Sequence, residues 1–209
     1  MKIAVLSPEH DDPREIAVLD GMLSLGLERY HVRKPGISAE QLSAWLKKLP
    51  AAWRPHLVLH QNHELVAEFG LGGRHWRDDG NVPLRPTPRI GFTSRSCHDL
   101  AGLRLALRRY DAVFFGPVFP SLSKPGHLPR GEIAASKLTA LLGGRSPAER
   151  RTSVMALGGV TTERLAQILA LGFDGVGVLG AVWQAPDPIV AFFELQAALA
   201  ALPVEAAAS

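Results

Sequence analysis

Short apolar runs alternate with amphipathic stretches along most of the chain. The apolar runs, rich in β-branched residues, predict eight strands, at residues 2–6, 30–33, 57–60, 73–76, 90–93, 112–115, 154–157 and 175–179. Helical periodicity between them predicts seven helices, at residues 13–25, 39–49, 64–69, 100–110, 134–142, 162–171 and 188–202. In the fourth connection, residues 77–89, the residues Gly80, Pro83, Pro86 and Pro88 favour a loop over a helix.

This alternation predicts an α/β fold with a parallel sheet. Gly26, Gly70 and Gly172 each end a predicted helix two to four residues before the next predicted strand, as expected for αβ loops. Eight strands in 209 residues leave about 26 residues per unit, which favours a closed (β/α)8 (TIM) barrel over an open doubly wound sheet. We therefore predict one compact domain over residues 1–203, followed by a frayed tail at residues 204–209.

Composition narrows the class of protein. Hydrophobic residues make up 46% of the chain, enough for a full core, and the net charge of +3 is spread over scattered basic residues rather than one basic run. This pattern argues against a nucleic-acid partner. No apolar stretch is long enough to span a bilayer, and no secretory signal is recognisable at the start. With one cysteine, Cys97, we expect a reducing, cytoplasmic location.

Residues that follow the predicted strands point to an anion site. In a parallel barrel, all strands end at the same face, so these residues converge although they are distant in sequence. The segment GPVFPSLSK, residues 116–124, carries two hydroxyls and an ammonium group, and glycines follow the next two strands. Hydroxyls, a cation and bare backbone N–H groups together favour a phosphate. The candidates are Ser121, Ser123, Lys124, Gly158, Gly159 and Gly180.

The second to fifth strands add histidines and charged groups to the same face. The segment HQNH places His60 and His63 three residues apart, but no third metal ligand follows from spacing, so acid–base chemistry is the favoured use of such histidines. We do not expect Cys97 to act as a nucleophile with its neighbour, because adjacent residues at a helix start point in different directions. The remaining candidates at this face are His31, Arg33, Asn62, Asp78, Asp79 and His98.

With these motifs, the chain resembles the thiamin phosphate synthase and TenI family of small (β/α)8 barrels. YDAVFFGPVFPSLSK is similar to the family's DYIGFGPVFPTxTK, VMALGGV to AIGGI, and FDGVGVLGAVW to ADGVAVVSAI. YHVRKP, EFGLGGRHW and SCHDL resemble further family segments, and the order of the last three motifs is the specific part of the resemblance. By this resemblance, Ser121, Ser123, Gly159 and Gly180 hold a thiazole phosphate, while Lys124 and Arg33 face the diphosphate of a second, pyrimidine substrate.

The resemblance implies a synthase that joins hydroxymethylpyrimidine diphosphate to thiazole phosphate, with Mg2+ at the diphosphate. Two departures leave the reaction open. Family synthases hold Mg2+ with two aspartates, whereas this chain has Gln61 and Asn62 near the first position and Asp78 and Asp79 near the second. TenI-like tautomerases use a histidine in GHVF, where this chain has Pro117.

Three functions therefore remain. The first is the synthase, with small phosphate and diphosphate substrates. The second is a TenI-like thiazole tautomerase whose base is relocated to His98 or His127. The third is a non-catalytic binder or regulator that recognises thiazole phosphate or thiamin phosphate. A homodimer is a further possible assembly.

Overall fold

The computed structural model describes residues 1–78, 91–119 and 135–202. Eight parallel strands form a closed barrel in sequence order, in which the first strand pairs with both the second and the eighth. The predicted (β/α)8 barrel is confirmed. The strands are β1 Lys2–Leu6, β2 Arg29–Val32, β3 Leu57–Leu59, β4 Gly73–Trp76, β5 Phe92–Cys97, β6 Ala112–Phe115, β7 Ser153–Leu157 and β8 Gly175–Val178.

The helices lie outside this barrel and cover the outward faces of the strands. They are α1 Glu15–Ser24, α2 Ala39–Lys47, α3 Leu65–Phe69, α4 Leu100–Ala106, α5 Ala135–Gly143, α6 Leu165–Ala170, α7 Gly180–Trp183 and α8 Pro188–Ala201. Side chains define several starts: Ser38 and Gln41 form a capping box at α2, while Asp99 and Asp187 cap α4 and α8. Such caps satisfy the N–H groups that have no partner within a helix.

The buried side chains form two separate apolar clusters, because successive strand residues point to opposite faces. The large cluster lies between strands and helices and includes Tyr30, Leu59 and Phe192. The small cluster lies inside the barrel and consists of Ala4, Leu6, Ala112, Phe114 and Met155. The interior of the barrel is therefore a packed core below its C-terminal mouth rather than a pore.

Several boundaries differ from the sequence-based prediction. The fifth strand is Phe92–Cys97 rather than residues 90–93, so Ser94, Arg95 and Ser96 lie within the strand and not after it. The prediction relied on apolar runs, whereas Ser94 and Ser96 follow Phe92 on the inward face of this strand. The fourth helix ends at Ala106, and the stretch predicted as helix 162–171 begins with a 3-10 turn over Thr162–Arg164.

Three short elements escaped the prediction: 3-10 helices at Ala51–His56 and Glu149–Arg151, and α7, which starts directly after β8. The predicted domain bounds stay a prediction, and the predicted tail at 204–209 lies outside the described residues. Among those residues, no helix combines the length and the hydrophobicity needed to cross a membrane.

Candidate active site

A cavity of about 430 Å³ opens at the C-terminal end of the barrel. Residues that follow different strands line it, among them Arg33 after β2, His98 after β5 and Gly180 after β8. Their sequence separations are large, and only closure of the barrel brings them to one place. This is the face at which (β/α)8 enzymes carry out their chemistry.

Cationic side chains line one wall of this cavity. The Arg33 guanidinium forms an ion pair with Glu9, and its backbone N–H donates to the Ser7 hydroxyl at 2.8 Å. That hydroxyl donates in turn to the Arg33 carbonyl at 3.1 Å, which ties the end of β1 to the segment after β2. Arg77 is exposed after β4 and also lines the cavity. The wall therefore brings two guanidinium groups to the cavity, one of them already paired with Glu9, and guanidinium groups suit a phosphorylated ligand.

The carboxylate of Asp78 is held by a second arginine. Arg95 Nη2 donates to Asp78 Oδ1 at 2.8 Å, and the guanidinium carbon of Arg95 lies 5.8 Å from the centre of the Tyr110 ring. Both partners of this ion pair are mostly shielded from solvent. Asp78 lines the cavity, but its charge is balanced within the protein.

Glycine backbone forms the opposite wall. Gly158 and Gly159 follow β7 with φ of 92° and 62°, a conformation that favours glycine. A Cβ at Gly158 would lie 2.8 Å from the Cβ of Pro117, so the glycine also allows the β6 and β7 loops to approach closely. Gly180 begins α7, where the first N–H groups have no partner within the helix. Bare N–H groups of this kind suit an anionic oxygen.

His98 lies between the two walls with one tautomer selected. Its Nδ1 contacts the carbonyl oxygen of Gly116, which can only accept, so Nδ1 donates. In the neutral ring, Nε2 then carries the lone pair. His98 lines the cavity, which gives the site one potential proton acceptor.

Three further histidines lie deeper, inside the barrel. His31 Nδ1 is 3.1 Å from His60 Nε2, and the rings of His60 and His75 are stacked with their centres 3.9 Å apart. His75 contacts the hydroxyls of Ser94 and Ser96, each at 2.9 Å. Burial lowers the pKa of His31 to about 3 and holds the pKa values of His60 and His75 well below the usual range. All three imidazoles are therefore neutral at physiological pH.

Lys34, which follows Arg33 in the YHVRKP segment, faces away from the cavity. Its ammonium is buried in an ion pair with Glu15 at 2.6 Å, and Tyr30 donates to the same carboxylate at 2.8 Å. Burial raises the pKa of Glu15, and the hydrogen bond from Lys34 opposes that rise. Lys34 therefore belongs to the packing between barrel and helices and adds no cation to the cavity.

The sequence-predicted site residues fall into three groups. The cavity brings together Arg33, Asp78, His98, Gly158, Gly159 and Gly180. His31 lies below the cavity. Asn62 lies outside its lining, with φ of 53°, and its side-chain nitrogen is buried with no partner among the described residues. The others lie outside the described residues: Ser121, Ser123, Lys124, Asp79 and the alternative base His127.

Sequence reasoning did not single out Glu9 as the partner of Arg33, and it did not place His31, His60 and His75 in one cluster. HQNH suggested pairing His60 with His63, but His63 packs outside on Trp76 and contacts the His75 carbonyl at 3.1 Å. A signal was present in the alternation of strand residues: inward positions of a strand recur every second residue, and the histidines of β2 and β4 fall on them.

Comparison with known proteins agrees with this architecture. The chain is 30% identical over 199 residues to a thiamine-phosphate synthase of Methylobacillus flagellatus, with 88% of each chain covered. It is 36% identical over 213 residues to a thiamine-phosphate synthase of Mycolicibacterium smegmatis, with 92% of this chain and 88% of the relative covered.

A solved structure, thiamine phosphate pyrophosphorylase from Bacteroides thetaiotaomicron, superposes with a TM-score of 0.76 at 26% identity, covering 95% of this chain and 97% of that one. The model of the family described as thiamine monophosphate synthase matches residues 3–182. The sequence resemblance is thereby confirmed, and the chain belongs to the thiamine monophosphate synthase (TenI) family.

Proposed function

We propose that this chain is a thiamine-phosphate synthase, a transferase that joins hydroxymethylpyrimidine diphosphate to thiazole phosphate and releases diphosphate. The observation that carries the proposal is the pairing of two walls in one cavity. Arginines line one wall and glycine backbone the other, so two phosphorylated molecules can bind with their reacting ends towards each other. The relatives named thiamine-phosphate synthase support the choice of substrates.

The thiazole phosphate is proposed to bind the glycine wall. Gly159 and Gly180 follow neighbouring strands, and a phosphate held by the loops after strands seven and eight, with a short helix, is frequent in (β/α)8 enzymes. Ser121 and Ser123 would add hydroxyl donors from the segment after β6. Their part in the site is an inference from the family motif alone.

The diphosphate of the pyrimidine substrate is proposed to bind the arginine wall. The carbon–oxygen bond between the pyrimidine methylene and the diphosphate breaks, and its electron pair leaves with the diphosphate. The thiazole nitrogen supplies the electron pair of the new carbon–nitrogen bond. Arg33, Arg77 and Lys124 stabilise the charge that develops on the departing diphosphate.

The described residues do not fit a Mg2+ site made of two carboxylates. Mg2+ requires oxygen ligands, and Asp78 already accepts from Arg95. At the position after β3, the amide of Gln61 donates to the Lys34 carbonyl instead of presenting a carboxylate. We therefore assign the neutralisation of the diphosphate to the cationic side chains and derive no step through Mg2+.

His98 supports a second candidate, the tautomerase. Its Nδ1–H is engaged by Gly116, which leaves a proton acceptor in the cavity next to the glycine wall. A base at this position could move a proton on a thiazole phosphate without a diphosphate substrate. Pro117, which occupies the tautomerase histidine position, cannot do so.

Diphosphate release from purified protein, measured with both substrates and Mg2+, tests the proposal. We expect turnover, with kcat/KM lowered by ~10²–10³ in both Lys124→Ala and Arg33→Met because each removes a cation that acts on the leaving group. Lys137→Ala, at an exposed position on α5, and Arg104→Met, exposed on α4, are the matched controls and should be unchanged. Absence of diphosphate release from the wild-type protein would overturn the synthase.

The same preparation distinguishes the alternatives. Conversion of the thiazole phosphate tautomer alone, lost in His98→Gln, would establish the tautomerase. Saturable binding of thiazole phosphate with neither activity would establish the non-catalytic binder. The cytoplasmic location and the homodimer stay predictions from the sequence.

A further inference from the structure

Three buried histidines from neighbouring strands meet inside the barrel. His31 lies on β2, His60 follows β3 directly, and His75 lies on β4. Each offers a ring nitrogen, and these three nitrogens all lie within 4.8 Å of one another. They are 1%, 8% and 2% exposed. Three strands therefore present three imidazoles to one point, independently of the residues that carry the proposed synthase function.

The hydrogen bonds of the cluster leave it incomplete. His31 Nδ1 and His60 Nε2 share one proton across 3.1 Å, since both rings are neutral. His31 Nε2 is buried without a hydrogen-bond partner in the described part of the chain. A buried polar atom without a partner costs about 1–3 kcal/mol of folding stability. Such an atom in a native structure calls for an explanation, and a bound ion is one.

The geometry points to a transition-metal site in which His31, His60 and His75 supply three nitrogen ligands to Zn2+ or a metal of similar preference. In a tetrahedral site with Zn–N bonds of ~2.0–2.1 Å, ligand nitrogens lie ~3.3 Å apart. The 3.1 Å between His31 Nδ1 and His60 Nε2 already matches that spacing. Metal would replace the proton that these two nitrogens share. To become the third ligand, His75 would turn out of its stack on His60 and release one of its two serine hydroxyls.

The surroundings of the cluster select the metal. Imidazole nitrogens suit zinc, cobalt, nickel and copper, whereas Mg2+ and Ca2+ require oxygen ligands. The second ring nitrogen of His75 would keep a serine hydroxyl, either Ser94 or Ser96, as its hydrogen-bond partner. A partner of this kind fixes the ring orientation of a ligating histidine.

The fourth ligand position would open towards the cavity, because His60 and His75 also line that space. Arg33 and Arg77 lie in the same cavity, so the ligand that completes the site would be an anion or a metal-bound hydroxide. An open position distinguishes such a site from a closed structural one.

Titration of the whole chain with Co2+ alone, after removal of metals by a chelator and dialysis, tests the site. We expect one equivalent to bind with the intense visible absorption of four- or five-coordinate cobalt, and one equivalent of Zn2+ to abolish that absorption. His60→Asn, His75→Gln and His31→Gln should each weaken binding by at least ~100-fold, since each removes a direct ligand.

His10→Gln is the matched control, because His10 is exposed and lies outside the cluster; it should bind as the wild type does. Circular dichroism confirms that each variant is folded. His60→Asn changes a residue that borders the cavity, and His75→Gln keeps an amide for the two serines, so at least these two should keep the barrel. Absence of a one-to-one cobalt complex in the wild type would overturn the site, and so would cobalt binding that folded His60→Asn and His75→Gln leave unchanged.

Discussion

The inside of the barrel has two unlike halves. Across β6, β7 and β1, the inward residues are apolar: Ala4, Leu6, Ala112, Phe114 and Met155, all 6% exposed or less. Across β2 to β5, the polar inward residues are histidines and serines: His31, His60, His75, Ser94 and Ser96. Phe92, at the start of β5, is apolar and packs against the other half. One closed sheet thus combines an ordinary core with a buried polar network.

The apolar half is built by matching large and small side chains. A Cβ at Gly177 would lie 2.8 Å from the Phe114 ring, and a Cβ at Gly175 would lie 2.7 Å from the Met155 sulfur. Glycines on β8 therefore make the room that these two side chains fill. Packing of this kind depends on shape and tolerates few changes of volume.

The polar half depends on pairing instead. Ser94 is the register partner of His75 on the adjacent strand, which places a hydroxyl 2.9 Å from its Nδ1. A buried imidazole with partners on both nitrogens costs little free energy of folding, whereas His31 Nε2, which has no partner in residues 1–78, 91–119 and 135–202, does cost some. The halves meet where the His31 and Phe114 rings lie 4.7 Å apart, edge to face. The apolar half is therefore destabilised mainly by loss of side-chain volume, and the polar half mainly by loss of hydrogen-bond partners.

The largest effect is expected in the apolar half. Phe114→Ala should lower the free energy of unfolding by about 3–5 kcal/mol, because it leaves a cavity against Gly177 and removes the ring that contacts His31. Chemical denaturation measures the loss. Phe193→Ala, at a position that is 55% exposed, should change stability by less than about 0.5 kcal/mol. Equal effects of the two changes would contradict the packed interior.

A smaller effect is expected from the polar half. His75→Leu should cost about 1–3 kcal/mol in metal-free buffer, because it keeps the volume but leaves the hydroxyls of Ser94 and Ser96 without their partner. The control is His10→Leu on the surface. If His75→Leu proved as costly as Phe114→Ala, loss of partners would cost as much as loss of volume, and the expected order of the two halves would be wrong.

The smallest effect should come from one hydroxyl. Ser94→Ala should cost about 1 kcal/mol in the native background and clearly less in the His75→Leu background, where its partner is already absent. A double-mutant cycle of the two substitutions measures this coupling. Strict additivity would show that the His75–Ser94 hydrogen bond does not stabilise the barrel.

Much of the fold could be predicted from the pattern of apolar and polar residues. Eight strands, their order and the closed barrel were predicted correctly, because each βα unit carries its own apolar run, amphipathic helix and glycine stop. The strand that deviated was β5, whose inward residues are serines, since a run of hydroxyls lacks the apolar signal on which the prediction depended. Short elements such as α7 escaped because four residues carry no periodicity.

The site was accessible only in part. Arg33, His98, Gly158, Gly159 and Gly180 were expected at one face, and they line one cavity. The ion pair between Asp78 and Arg95 could not be predicted from the sequence, because Arg95 was assigned to a loop, whereas it lies within β5. Lys34 follows Arg33 directly in the sequence, yet alternation along the chain turns it to the opposite side, where it pairs with Glu15.

Local periodicity and glycine positions in the sequence by themselves determined the fold class and the face that carries the cavity, and the order of its motifs indicated the family. These features act within one βα unit or in the order of motifs, so they are readable along the chain. Only the tertiary structure decided which charges are already paired and which histidines meet. The contacts of His31, His60 and His75 join residues that are far apart in sequence, and only the register of a closed barrel brings their nitrogens to within 4.8 Å of one another.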